Sequence, residues 1–167
     1  MRSAEEWGAA VHGAAHDFAG RLRALADSLS AQRQPIRIRY GPGRVGEWFR
    51  RQSPEGFLLD PASRQMLLPD GRLWFYSRTD ATRFPAGRFY DARTDYSDFA
   101  GMRTFPGGRE FVYLGAVIGR YTFGCAGLDG RDLDDLSGLC AISEEGGKVR
   151  HVSAGDAFDA IARPFSE

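Results

Sequence analysis

The 167-residue chain carries 22 basic and 22 acidic side chains, a formal net charge of zero, with 43% hydrophobic and 26% charged residues. These are the proportions of a soluble globular protein; they exclude extensive disorder, and a chain of this length buries roughly 70% of its unfolded surface, enough for a core without disulfides. No apolar run approaches the ~20 residues of a membrane span, and the polar start at Ser3, Glu5 and Glu6 differs from a signal peptide, so no membrane contact and a cytoplasmic location are expected.

Ser3 with Glu6 reads as a capping box, and Trp7, Val11, Ala14, Phe18, Leu22, Leu25 and Leu29 follow at three- and four-residue intervals. This predicts an amphipathic helix over 1–32, ending before Pro35. Its stripe either packs on the chain's own sheet or joins a second copy through Trp7, Val11 and Phe18. Ile36, Ile38 and Tyr40 alternate with Arg37 and Arg39, which predicts a strand with its apolar set on one face, broken by Gly41-Pro42-Gly43. Further strands are expected at 47–50, 56–59, 65–68, 73–76, 88–90, 110–114, 117–123, 139–142 and 149–152. Pro69-Asp70-Gly71 and Glu145-Gly146-Gly147-Lys148 supply tight turns. The stretch 79–108, where glycine and proline interrupt the aromatics, is expected as an ordered, irregular loop of functional type. Cys125 and Cys140 lie in apolar stretches with no close-spaced partner, which predicts reduced, buried thiols. Ser153, three residues before Asp156, caps a closing helix over 153–164 whose Ala157, Phe158, Ile161 and Ala162 face inward before Pro164. The expected fold is a single α+β domain over 1–167. In it a long N-terminal helix and a short C-terminal helix pack on a curved, mainly antiparallel β-sheet within the β-rich body 35–152.

Charge is unevenly placed. The segment 33–51 carries Arg33, Arg37, Arg39, Arg44, Arg50 and Arg51 against Glu47, and 129–145 carries Asp129, Asp132, Asp134, Asp135, Glu144 and Glu145 against Arg131. On separate faces these segments would steer a charged partner; across one sheet they would neutralise each other. Between Leu73 and Phe123 arginines stand beside aromatic residues repeatedly, and arginine forks and rigid rings are the side chains that contribute most at macromolecular interfaces. Arg83, Arg88, Tyr90, Arg93, Tyr96 and Arg103 are therefore the expected partner-binding residues, with Asp129, Asp132, Asp134 and Asp135 as an acidic patch.

Catalytic and metal motifs do not form. His12 and His16 share a helix face as a zinc pair would, but Gly13, Ala14 and Ala15 leave out the glutamate of an HExxH helix. The aspartates lack the order of a calcium loop, with Gly130 too early and Cys140 where the bidentate glutamate belongs. Gly124-Cys125-Ala126-Gly127 has not the spacing of a nucleophile elbow, and neither a phosphate loop nor a dinucleotide fingerprint is present. No metal and no cofactor are expected. An enzyme site would have to be assembled from distant residues such as Tyr113, Arg120, His151 and Glu144, and it requires a concavity that joins them. Nucleic acid is a further alternative, held by Arg37, Arg39, Arg44, Arg50 and Arg51 with sheet aromatics. A pI near 6.8 and the interspersed Asp80, Asp91, Asp95 and Asp98 weigh against it.

The closing stretch, a strand, the turn Glu144-Glu145-Gly146-Gly147, a second strand to Val152 and a helix opened by Ser153, Asp156, Ala157 and Phe158, resembles the last element of SMI1/KNR4-type bacterial immunity proteins. The earlier part of that family's pattern is not evident. The resemblance implies a small α+β inhibitor that neutralises a toxin by direct binding. Lys148 is the only lysine, and this arginine bias with abundant alanine and glycine fits a GC-rich bacterial genome. The expected function is thus a non-catalytic, protein-binding immunity or inhibitor module, with an enzyme acting on a small molecule or nucleotide, or a nucleic-acid-binding domain, as the alternatives.

Overall fold

In the computed structural model the apolar spacing of the N-terminal segment becomes one helix, α1 (Ala4–Gln32). The structure describes residues 4–37, 43–44, 54–60, 65–75, 88–105, 109–126 and 138–166, with the backbone alone at 4, 99, 102–105 and 109–110. Ser3 lies outside them; Glu5 and Glu6 fill the first turn of α1, where carboxylates favour the positive end of the helix dipole. Ala14, Ala15, Phe18, Leu22, Ala26 and Leu29 form its buried stripe. Trp7, Val11 and Leu25 are half-buried. The chain divides into two compact units, residues 1–19 with 92–167, and residues 20–91. The fold is α+β, and its strands form two antiparallel sheets.

In the 20–91 unit, β1 (Phe57–Asp60), β2 (Gln65–Leu67), β3 (Leu73–Phe75) and β4 (Arg88–Tyr90) pair in that order. The Pro69-Asp70-Gly71 turn forms where expected: the Gly71 amide donates to the Leu68 carbonyl at 2.9 Å. Gly71 has φ +90, and a β-carbon there would press on the Arg23 backbone of α1, so glycine is required on both counts. Met66, Leu68 and Trp74 form a buried cluster with Leu58 beside it. Of the strand expected from Ile36, the described residues show an isolated bridge between Ile36 and Gly56. Residues 38–40 and the expected strand 47–50 lie outside them.

In the other unit, β5 (Gly101–Phe105), β6 (Arg109–Ile118), β7 (Tyr121–Ala126), β8 (Cys140–Glu145) and β9 (Lys148–Ser153) form a five-stranded meander. A short helix, α2 (Tyr96–Phe99), precedes it and α3 (Ala154–Ala162) closes it, followed by a 3-10 turn Arg163–Ser166. Arg88–Tyr90 form β4 as expected, whereas 91–105, inside the stretch expected to be irregular, are a turn, α2 and β5. The expected strand 117–123 is corrected too. Val117 and Ile118 end β6, Gly119 turns the chain with φ +59, and Tyr121 pairs back onto Ile118. The break expected at Gly115-Ala116 is instead a bulge inside β6, where register shifts between Tyr113 and Val117 and Gly115 takes φ +93. Gly146 at φ +59 and Gly147 at φ +78 make the β8–β9 turn, as the sequence predicts.

Strand alternation divides the sheet into two faces. Phe123, Ala141 and Val152 are cross-strand neighbours on one face. Phe18 of α1 stacks on Phe123 with ring centroids 4.6 Å apart, and Phe158 of α3 lies 5.3 Å from the same ring. Ala14 and Ala15 pack with Val112, Leu114 and Cys125. The α1 stripe is therefore filled by the chain's own sheet at Phe18, not left for a second copy. The opposite face buries Phe111, Ala126, Cys140 and Ile142.

Candidate polar groove at the edge of the five-stranded sheet

The site begins with two hairpin tips. The β6–β7 turn presents Arg120, whose guanidinium donates to the Tyr121 hydroxyl at 3.0 Å and reaches the Glu145 carboxylate of the β8–β9 hairpin at 3.2 Å. A backbone bond from the Glu144 amide to the Arg120 carbonyl, 3.0 Å, ties the tips together. The Tyr121 hydroxyl and, after it, Glu145 raise the Arg120 pKa, so this group is cationic at every accessible pH.

Register carries the site across the sheet. Tyr121 faces Ser143 and Ser143 faces Arg150, a row two residues along from Phe123, Ala141 and Val152. On α3, Ala154, Ala157, Phe158 and Ile161 take the buried face. Asp156, Asp159 and, beyond the helix, Arg163 recur at three- and four-residue intervals outside it. Ser153 holds the start of α3 by accepting the Asp156 amide at 3.1 Å. These elements enclose a concavity of about 540 Å³, lined on the strand side by Arg120, Tyr121, Arg150 and His151 and on the helix side by Ser153, Asp156, Asp159 and Arg163. Glu145 is engaged by Arg120, whereas the side chains of Arg150, Asp156, Asp159 and Arg163 are exposed and make no ion pair among the described residues. Charges of both signs stand in one concavity without neutralising each other.

Of the expected partner-binding residues, the described Arg88, Tyr90, Arg93 and Tyr96 do not line this concavity. Tyr90 is a core side chain with 0% exposure, its ring edge-on to Phe75, and so is out of reach of a docking partner. Arg88 is half-buried with its guanidinium 5.9 Å from the Phe75 ring. Tyr96 is half-buried, and its hydroxyl shares a hydrogen bond with His12 Nδ1 at 3.0 Å. Arg93 is exposed at the turn before α2. Arg83 lies outside the described residues, Arg103 is described through its backbone alone, and Asp129, Asp132, Asp134 and Asp135 all lie outside. Of the basic segment, Arg37 pairs with Glu55 at 3.7 Å.

Of the residues proposed for an assembled enzyme site, Arg120 lines the concavity; the chain at His151 borders it, but His151 pairs with Ile142 and so shares the opposite face of the sheet, and Tyr113 and Glu144 do not line it. Cys125 and Cys140 are reduced, buried thiols, as expected. Burial, and then Cys140, pushes the Cys125 thiol up from 9.0 to about 12, the reverse of what a nucleophile needs. The His12 and His16 rings lie 4.1 Å apart on α1, and among the described residues no group of three metal-ligating side chains forms around them. No helix among the described residues is long and apolar enough to cross a membrane.

Arg150, Asp159 and Arg163 were not singled out from the sequence, and Asp156 was read only as part of a helix start. The signal was present: the closing helix has a second stripe of charged residues outside its apolar one, and Arg150 alternates with Val152. Charged residues on a short helix ordinarily mean only solvent, and nothing in the sequence places the Arg120 turn beside them. Family models, characterised proteins and solved structures show no match to this chain.

Proposed function

We propose that the chain is a non-catalytic binding module that occludes or stabilises a protein partner, as an inhibitor of a toxin enzyme does in a bacterial cytoplasm. The observation that carries this reading is the polar groove: Arg150, Arg163, Asp156 and Asp159 line one concavity, and none is engaged in an ion pair among the described residues. Unengaged charges of both signs select a partner by complementarity and reject wrong partners by repulsion. Arg120, held by Tyr121 and Glu145, fixes the shape of the strand side of the groove before a partner arrives. The test is affinity capture from the native host by the wild-type chain and by an Arg150→Ala, Asp159→Ala double variant. A stoichiometric protein retained by the first and lost from the second supports the reading; capture equal in both removes the groove from it. A Tyr90 variant would be a poor control, since replacing that buried ring perturbs folding.

One observation favours a second reading, an enzyme acting on a small molecule or nucleotide: the concavity brings Arg120 and Arg150 together with Asp156 and Asp159 and has a volume in the range of ligand sites. A metabolite screen by thermal shift tests it. A compound that stabilises the wild type but not an Arg120→Ala variant would favour this reading over partner binding.

A further inference from the structure

The charges of the groove have an order, and the order reads as a ligand. Its strand side is cationic, with Arg120 and Arg150; its helix side presents Asp156 and Asp159 and then, past the end of α3, Arg163. Asp156 and Asp159 are one helical turn apart, a rise of ~4.5 Å, so a single ammonium or guanidinium can be shared between the two carboxylates. Arg163 follows Asp159 by about one further turn, ~6 Å along the axis, close to the ~7 Å that separates alternate side chains of an extended chain. A purely acidic ligand would meet both aspartates, and a purely basic one would meet Arg150, Arg163 and Arg120.

Resting on the binding-module reading, we propose that the groove recognises an extended segment of the partner protein in which a lysine or arginine is flanked by glutamate or aspartate. The basic side chain seats between Asp156 and Asp159, and the flanking carboxylates engage Arg150 and Arg163. Arginine suits carboxylate here because its fork accepts the bidentate geometry. Arg120 remains with Tyr121 and Glu145 and shapes the strand side of the groove.

The experiment is fluorescence anisotropy on the full chain at low salt with four labelled peptides of equal length. One alternates glutamate and lysine, one carries the same residues in two blocks, one is all glutamate and one all lysine. The alternating peptide is expected to bind saturably and at least tenfold tighter than the other three, and to weaken as salt rises. Asp159→Ala and Arg150→Ala should each lower its affinity roughly tenfold. Arg150→Glu should recover binding to a peptide in which only the glutamate that faces Arg150 is replaced by lysine. Circular dichroism of each variant confirms that the fold is kept. Equal binding of the alternating and all-glutamate peptides, or no saturable binding of the alternating one, overturns the proposal. If host capture still depends on Arg150 and Asp159 after such a result, the binding-module reading survives and only the ligand class falls.

Discussion

Replacing Gly124 by alanine should destabilise the five-stranded sheet by about 3 kcal/mol. Gly124 lies within β7 opposite Tyr113 of β6, in extended backbone, so its need for glycine is steric. A β-carbon at this position would run into the Val112 carbonyl and would meet the Phe111 ring at 2.6 and 2.7 Å. Neither neighbour can retreat. The carbonyl belongs to a paired strand, and Phe111 has 0% exposure and packs with Ala126, Cys140 and Ile142. Overpacking a dense core costs ~1–3 kcal/mol, and shifting β6 enough to relieve the carbonyl contact weakens ladder hydrogen bonds worth ~1 kcal/mol each. For a chain of this size each kcal/mol moves the thermal midpoint by ~2–4 °C, so a fall of roughly 6–12 °C is expected. The assay is thermal and urea unfolding beside Gly138→Ala, where an added β-carbon meets nothing within 4 Å. A Gly124→Ala midpoint within about 1 °C of the wild type would refute the close approach of β6 to β7 at this point.

Ser153→Ala removes the acceptor for the Asp156 amide and should cost about 1 kcal/mol in chemical unfolding, with Ser153→Asn recovering most of it. Gly13→Ala and Gly20→Ala, on exposed positions of α1 where an added β-carbon meets nothing, should each stabilise by about 0.5–1 kcal/mol; a loss of stability would mean that these positions are not open helix. The Cys125 thiol ionises near 9.0 when unfolded and near about 12 when folded, so the unfolded state sheds its proton first. Its contribution to stability is therefore constant below the lower value and falls as pH rises between the two, by ~1.4 kcal/mol per pH unit. Measured by urea unfolding, the wild type's advantage over Cys125→Ala should shrink by about 2 kcal/mol between about pH 8 and about pH 10.5, and an unchanged gap would contradict the burial of this thiol.

What the sequence made legible is what local chemistry decides. The stripe from Ala14 to Leu29, the Gly146-Gly147 turn and the Ser153 cap depend on neighbours within a few positions, and all three appear in the structure. The errors occur where a long-range partner decides. Val117 to Phe123 reads as one apolar run, yet Gly119 in the left-handed region folds it back because Tyr121 can then pair with Ile118. The groove was illegible for the same reason. Arg120 and Glu145 are far apart in sequence, and only the meander through β7 and β8 brings their turns within 3.2 Å.

Arginine beside aromatic was the most conspicuous feature of the sequence, yet it points away from the groove once the contacts are counted as alternatives. In the 20–91 unit, Arg72 lies 4.8 Å from the Phe89 ring and bonds Asp70 at 2.7 Å, and Arg88 covers Phe75. A partner that engages either arginine must first break a contact the free protein already makes, so only the difference between the two contacts adds to affinity. Among the described residues the side chains of Arg150 and Arg163 have no such contact to lose, and neither do those of Asp156 and Asp159. For equal interactions with a partner, the groove therefore gains more on binding than the arginine-aromatic surface does. The same comparison explains why Arg120 is better suited to shaping the groove than to gripping the ligand: its donors are already directed at Tyr121 and Glu145.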